Sequence, residues 1–188
     1  FFTDSGRLYF DAATWFLRIY ENGRYCTFPH VLELVSRDSK DVIKILNSYP
    51  QIRAKATPFA NTLKGNASEQ LTGMVTSAQI PIVKLADRTL YWILSGDDGS
   101  LDINDPKHPK ILCLGNDPAR QAINSSALAL YTSRIFKNVN RPGKRPCAIL
   151  LDELPTLYLK GLDLLMATAR SNGVKTVLGM QDLSQLIR

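Results

Sequence analysis

In the second half of the chain the apolar residues stop recurring at helical spacing and gather into short runs separated by helical stretches. "KILCLGN" (110–116), "CAILLDE" (147–153) and "VKTVLGMQ" (174–181) read as strands, and "RTLYWIL" (88–94) is β-like. Between them, "DPARQAINSSALALYTSRIFKNVN" (117–140) is a long helix with Asp117 as N-cap and Pro118 at its first helical position. "LKGLDLLMATARSNG" (159–173) is the next helix, with Gly173 as its C-terminal stop. Strands this apolar, alternating with helices, imply a parallel sheet covered on both faces.

The first half has a different period. In "DSGRLYFDAATWFLRIYENG" the residues Leu8, Ala12, Trp15, Phe16 and Ile19 share one helical face, and Gly23 stands where that helix ends. Two shorter helices come next, carrying Val31, Leu34 and Val35, then Val42, Ile43, Ile45 and Leu46, separated by the cap-like Ser36 to Ser39. Two more are split at Gly65, each with an internal proline, Pro58 or Pro81, expected to kink or end it. The expected organisation is an all-helical domain over 1–85 and an α/β domain over 86–188.

With 188 residues and 45% apolar content the chain can bury a sizeable core. Its 23 Lys and Arg against 17 Asp and Glu give +6, which fits an anionic partner as well as a solvated basic surface. Cys26, Cys113 and Cys147 lack metal-ligand spacing and point to a reducing compartment. No apolar run approaches the roughly 20 residues of a membrane helix, so a soluble chain is expected.

The feature that points to chemistry is the end of the 147–153 run, where four apolar side chains drive straight into Asp152 and Glu153. In an open parallel sheet the ligand crevice lies outside the carboxyl ends of the strands. A hydrophobic strand ending in Asp-Glu matches the second signature of P-loop ATPases, although an acidic turn residue at a strand end is also ordinary. One strand later Gln181 stands at the same edge, either to hydrogen-bond a phosphate or simply to cap the next helix. Arg170 ends the intervening helix, where a cation is favoured by the helix dipole in any case.

Taken together, "AILLDELPTL", "LDLLMATARSNG" and "VLGMQDLSQL" resemble the core of the type IV secretion coupling proteins, the TraG/TraD-like ATPases of bacterial conjugation. "KILCLGNDPARQ" with its long helix resembles the family's segment before the acidic motif, and the helical first half stands where the family carries its all-alpha domain. The resemblance covers most of the chain and is strongest from about Lys110 onward. It implies a partial RecA-like parallel sheet with flanking helices, preceded by an all-helical inserted domain. It also implies a parent protein that binds ATP and Mg2+, forms a homo-hexamer, and sits at the cytoplasmic face of the bacterial inner membrane. The implied partners are single-stranded DNA, a relaxase or relaxosome, and a type IV secretion channel. On this resemblance Asp152 supports Mg2+ through water, Glu153 activates the attacking water, Gln181 senses the γ-phosphate, and Arg170 is a finger for the neighbouring subunit's nucleotide.

One element of such a site is missing. No "GxxxxGK[ST]" occurs, and "GKRP" at 143–146 lacks both the glycine loop before it and the Ser or Thr after it. The chain opens at Phe1 without Met and stops within "QDLSQLIR", so the phosphate loop and the membrane anchor are expected upstream of Phe1. Alone, the chain is expected to bind ATP poorly and hydrolyse none.

Other residues read as ordinary structure. Arg141, Lys144 and Arg145 lie before the Asp-Glu strand and either touch DNA backbone or solvate a loop, as do Arg53, Lys55 and Lys64 in the helical half. Trp15 and Trp92 read as core residues, His30 and His108 as isolated turn residues. Asp97, Asp98, Asp102 and Asp105 lack the closing Glu of a calcium loop. Beside the motor reading stands a non-catalytic module that docks protein or DNA partners of a transfer apparatus.

Overall fold

The computed structural model describes residues 2–65, 67–83, 85–96, 102–154 and 159–182. They form two compact units, Phe1–Gly96 and Asp97–Arg188.

The first unit is helical throughout: α1 (Phe2–Ile19), α2 (Phe28–Val35), α3 (Ser39–Ser48), α4 (Arg53–Lys64), α5 (Ser68–Val83) and α6 (Arg88–Ser95). Its core takes Ala12, Phe16, Val31, Val35, Val42, Ile43 and Leu46 from the predicted faces and adds Tyr9, Ile52 and Phe59, which those faces do not include, while Ile45 of the predicted faces is exposed. The Tyr9 and Phe59 rings meet at 5.2 Å. α1 approaches α5 so closely that a Cβ on Gly6 would lie 2.7 Å from the Ala78 nitrogen, so no larger residue fits there. Asp38 starts α3 by accepting from the Lys40 and Asp41 N–H groups. Pro58 and Pro81 lie inside α4 and α5, and both helices run on past them to Lys64 and Val83.

Residues 88–94, read as β-like, are instead part of α6. Asp87 explains the difference, because its carboxylate accepts from the Thr89 and Leu90 N–H groups and nucleates a helix that aromatic composition alone disfavours. Of that helix Leu90 is buried while Trp92 is 74% exposed, so Trp92 is a surface residue and not core. Trp15 is half exposed, with the Lys55 ammonium 5.9 Å from its ring centroid.

The second unit contains α7 (Gln121–Val139), β1 (Cys147–Leu151), α8 (Leu162–Thr168) and β2 (Val174–Leu178). Asp117 accepts from the Ala119 N–H and opens a 3-10 turn (Pro118–Arg120) that leads into α7. β1 and β2 pair in parallel, Cys147 opposite Val174 through Leu151 opposite Leu178. Ile135, Phe136 and Val139 of α7, Leu165 of α8 and the adjoining Ala169 pack with Ile149 and Val174 into one core.

Two expectations change here. Residues 110–116 form no strand: they have no ladder partner among the described residues and are solvent-exposed, Ile111 almost completely. The two-stranded sheet is also covered on one face, since Leu150 and Val177, opposite each other in register, stay 72% and 56% exposed. Asp97, Asp98 and the stretch from Leu183 onward lie outside the described residues.

Candidate functional site

Parallel pairing decides what shares an edge. Because Leu151 faces Leu178 at the end of both strands, the chain leaves β1 through Asp152 and Glu153, and β2 through Gly179, Met180 and Gln181, on the same rim. Two further bonds lock these exits together. The Gly179 N–H donates to the Leu151 carbonyl at 2.7 Å, and the Leu154 N–H donates to the Gly179 carbonyl at 3.0 Å.

Glycine is needed at that crossing. A Cβ on residue 179 would fall 2.7 Å from Asp152 Oδ1 and 3.3 Å from its Cα. Asp152 thus turns its carboxylate over the β2 exit, while Oδ1 accepts from the Glu153 N–H at 3.1 Å. Glu153 itself has φ of 52°, in the left-handed region, where a side chain other than glycine is strained. Such backbone strain gathers at functional sites but also occurs in ordinary turns, as at Glu21 and Asn22 of this chain, with φ of 47° and 55°. Asp152, Glu153 and Gln181 are all solvent-exposed.

Arg170 is not brought to this rim. It lies in the turn after α8, where its carbonyl accepts from the Gly173 N–H and the chain turns into the amino end of β2. A five-residue strand at about 3.3 Å per residue separates that edge from the acidic one by ~16 Å. Arg170 is exposed at the opposite edge and stands apart from the other three.

The donor chemistry at the acidic rim suits a hard, hydrated cation. No group of three or more His, Cys, Asp or Glu that could hold a metal ion occurs among the described residues, so an ion caged by protein ligands does not fit. One carboxylate reaching a magnesium ion through its water shell does fit, because Mg2+ keeps most of its waters and leaves other positions to phosphate oxygens.

Two of the three cations in the basic cluster are tied to backbone. Arg141 Nε donates to the Lys137 carbonyl at 2.6 Å, and an Arg145 guanidinium nitrogen donates to the Pro106 carbonyl at 3.3 Å. His108 pairs with Asp105 at 3.0 Å, and that hydrogen bond is the main cause that holds the Asp105 carboxyl below its ordinary range. His30 shares a 2.6 Å bond with Thr27 Oγ1.

Two residues that matter escape sequence reasoning. Gly179 is one; its signal is a glycine directly after an apolar strand, which often marks close approach of backbone. Asn104 is the other. It is buried, its Nδ2 donates to the Arg145 carbonyl and its Oδ1 accepts from the Arg145 N–H, at 2.9 and 2.8 Å.

Residues 146–188 match a family model described as the TraM recognition site of TraD and TraG. No curated protein sequence matches the chain. Among solved structures, the bacterial conjugative coupling protein TrwB superimposes in a trigonal form with sulphate, in complex with ADP and Mg2+, and in an unbound monoclinic form. Each match has a TM-score of 0.72 at 18% identity and covers 97% of this chain. The chain spans about two fifths of the length of these relatives, 41 to 42%. The fold is therefore that of a partial RecA-like sheet with flanking helices, preceded by an all-helical part, as the resemblance to TraG/TraD-like coupling proteins implied. Among the described residues no helix is long and apolar enough to cross a membrane.

Proposed function

We propose that this chain is part of a conjugative coupling ATPase that recruits relaxase-bound single-stranded DNA and drives it to a type IV secretion channel. The single observation that carries this reading is the shared rim: two adjacent carboxylates and one amide at the carboxyl edge of a parallel strand pair, with Gly179 packed against Asp152.

A bound magnesium-triphosphate would supply the electrophilic phosphorus and the leaving diphosphate. Asp152 is the residue that would hold the magnesium ion, through its water shell. Glu153 orients the attacking water and receives its proton on a carboxylate oxygen. Gln181, neutral and long, donates its amide N–H to a phosphate oxygen without adding charge. Arg170, exposed at the far edge, serves a site on a neighbouring copy, where its planar cation offsets the charge that builds during phosphoryl transfer. The glycine-rich phosphate loop belongs to a part of the parent protein other than these 188 residues. The membrane anchor and the hexamer that completes each site belong to the same reading.

The match of residues 146–188 to a TraM recognition model favours a second role for the same segment, contact with a relaxosome component. Glu153→Gln in the parent protein separates the two. If the motor reading holds, the variant binds ATP and does not turn it over. Unchanged turnover or transfer removes Glu153 from the chemistry and leaves the docking role.

A further inference from the structure

α7 and the start of α8 border a cleft of about 270 Å³, lined by Phe136, Lys137 and Arg141 on one side and Lys160, Leu164 and Leu165 on the other. Helical spacing builds part of its walls: Ser133, Phe136 and Lys137 share one face of α7, Asn140 and Arg141 follow at its carboxyl end, and Lys160 and Gly161 lead into α8, which contributes Leu164 and Leu165. The Ser133 hydroxyl donates to the Lys160 carbonyl at 3.3 Å and closes one end. Asn140 Nδ2 donates to Thr168 Oγ1 at 2.7 Å and ties the helices at the other. The helical stretch of this wall, Ser133 to Lys137, rises about 6 Å, roughly one turn, before the chain leaves α7 through Asn140 and Arg141.

Its chemistry is two-sided. The floor is apolar, with Phe136 and Leu165 buried and Leu164 left 64% exposed beside them, so an apolar strip reaches from the core to the surface. The rim carries Lys137, Arg141 and Lys160, all exposed. Among the described residues the ion pairs are Lys44 with Asp41, Lys55 with Asp11 and His108 with Asp105, so none of the three rim cations is neutralised there. Arg141 is moreover held in place by its bond to the Lys137 carbonyl, which lowers the entropy lost when it meets a carboxylate.

We infer that this cleft is a docking groove for an acidic amphipathic helix of a partner protein, which sets apolar side chains on Phe136 and Leu164 and carboxylates against Lys137, Arg141 and Lys160. In helix-in-groove recognition an amphipathic helix lays its apolar face into an apolar groove, and here the cations on the rim select one whose polar side is acidic. A nucleic acid strand also seeks cations, but strands are held by aromatic side chains on which bases stack, and the lining contains one ring, that of Phe136, which is buried. The inference stands on this groove alone and survives if the motor reading fails.

The test is fluorescence anisotropy of the intact chain with a short labelled peptide bearing Leu on one helical face and Glu on the other, run beside a labelled oligothymidylate. Two variants are compared, the charge reversal K137E/R141E/K160E and Leu164→Ser, each checked by circular dichroism; every position changed is exposed, so both should fold. Saturable peptide binding weakened by about tenfold or more in each variant is the expected result. Absence of peptide binding, or binding that neither variant weakens, overturns the proposal. So does the pattern in which charge reversal abolishes oligonucleotide binding while Leu164→Ser leaves both ligands unaffected, which makes the groove a nucleic-acid surface.

Discussion

Gly179 lies under the carboxylate of Asp152, so close that a methyl group in place of its hydrogen would come within 2.7 Å of Asp152 Oδ1. The contact joins the two strand exits on which the proposed chemistry depends. Gly179→Ala must push that carboxylate aside, and because the Asp152 Cα is only 3.3 Å away the backbone has to give as well. Overpacking of this kind costs about 1–3 kcal/mol. The expected outcome is a lower thermal midpoint for this chain and, in the parent protein, a fall in ATP turnover larger than the stability loss explains. Wild-type turnover in that variant would disconnect Asp152 from catalysis.

Glu153 offers a test in which stability and activity move in opposite directions. Its φ of 52° costs a side-chain-bearing residue about 1–3 kcal/mol, part of which glycine recovers after its own loss of chain entropy. Glu153→Gly is expected to raise the unfolding free energy by ~1 kcal/mol. Glu153→Gln keeps the strain and leaves stability nearly unchanged. Both remove the carboxylate, so both abolish turnover in the parent protein; denaturant melts with parallel ATPase assays check the pair.

Tyr9 tests the helical unit. Its ring is fully buried, and its hydroxyl has no hydrogen-bond partner among the described residues. Burial first, and the nearby Asp38 carboxylate second, push its ionisation well above the ordinary tyrosine range. Above about pH 10 the unfolded chain releases the phenolic proton while the folded chain retains it, so stability falls as pH rises further. Tyr9→Phe removes an unsatisfied buried polar group and is expected to stabilise by about 1 kcal/mol at neutral pH, and to flatten the decline above pH 10. Melts of both proteins across about pH 8 to 11 decide it; an equally steep decline in the variant assigns the alkaline loss to other groups.

How far these features are legible in the sequence depends on how local their causes are. The helical faces of α1 to α3 are readable because each rests on its own periodicity, α4 and α5 are readable only as helices divided at Gly65, and β1 and β2 because apolar runs with β-branched residues have few other uses. The common rim of Asp152, Glu153 and Gln181 comes from parallel pairing. Residues 88–94 mislead because aromatic composition suggests a strand, whereas two backbone bonds to Asp87 make a helix. Residues 110–116 look like a strand by composition, but a strand is a property of a pair, and no partner stands beside them among the described residues. The Gly179 contact and the groove between α7 and α8 depend on distances between segments that no local pattern encodes.

Asn104 is the last such case and makes the sharpest prediction for the α/β unit. Its side-chain amide forms a two-bond ring with the backbone of Arg145, 41 residues away in sequence, and it is buried. The pairing fixes the chain just before β1, so it sets where the strand begins and, through it, the position of Asp152. Asn104→Asp keeps the shape but replaces the donor Nδ2 by an oxygen that faces the Arg145 carbonyl, so one bond is lost and two acceptors repel. Asn104→Ala loses both bonds but leaves no charge buried. Leaving a charge buried costs more than leaving a cavity, so Asp is expected to destabilise more than Ala at neutral pH, by about 1–3 kcal/mol relative to the native amide. The penalty for Asp should shrink as pH falls, because its protonated form regains a donor for the Arg145 carbonyl, while the Ala variant shows no such recovery. Urea melts of the two variants at about pH 7 and pH 4 check this ordering; a pH-independent gap between them would mean that the residue 104 side chain is solvated and does not hold the start of β1.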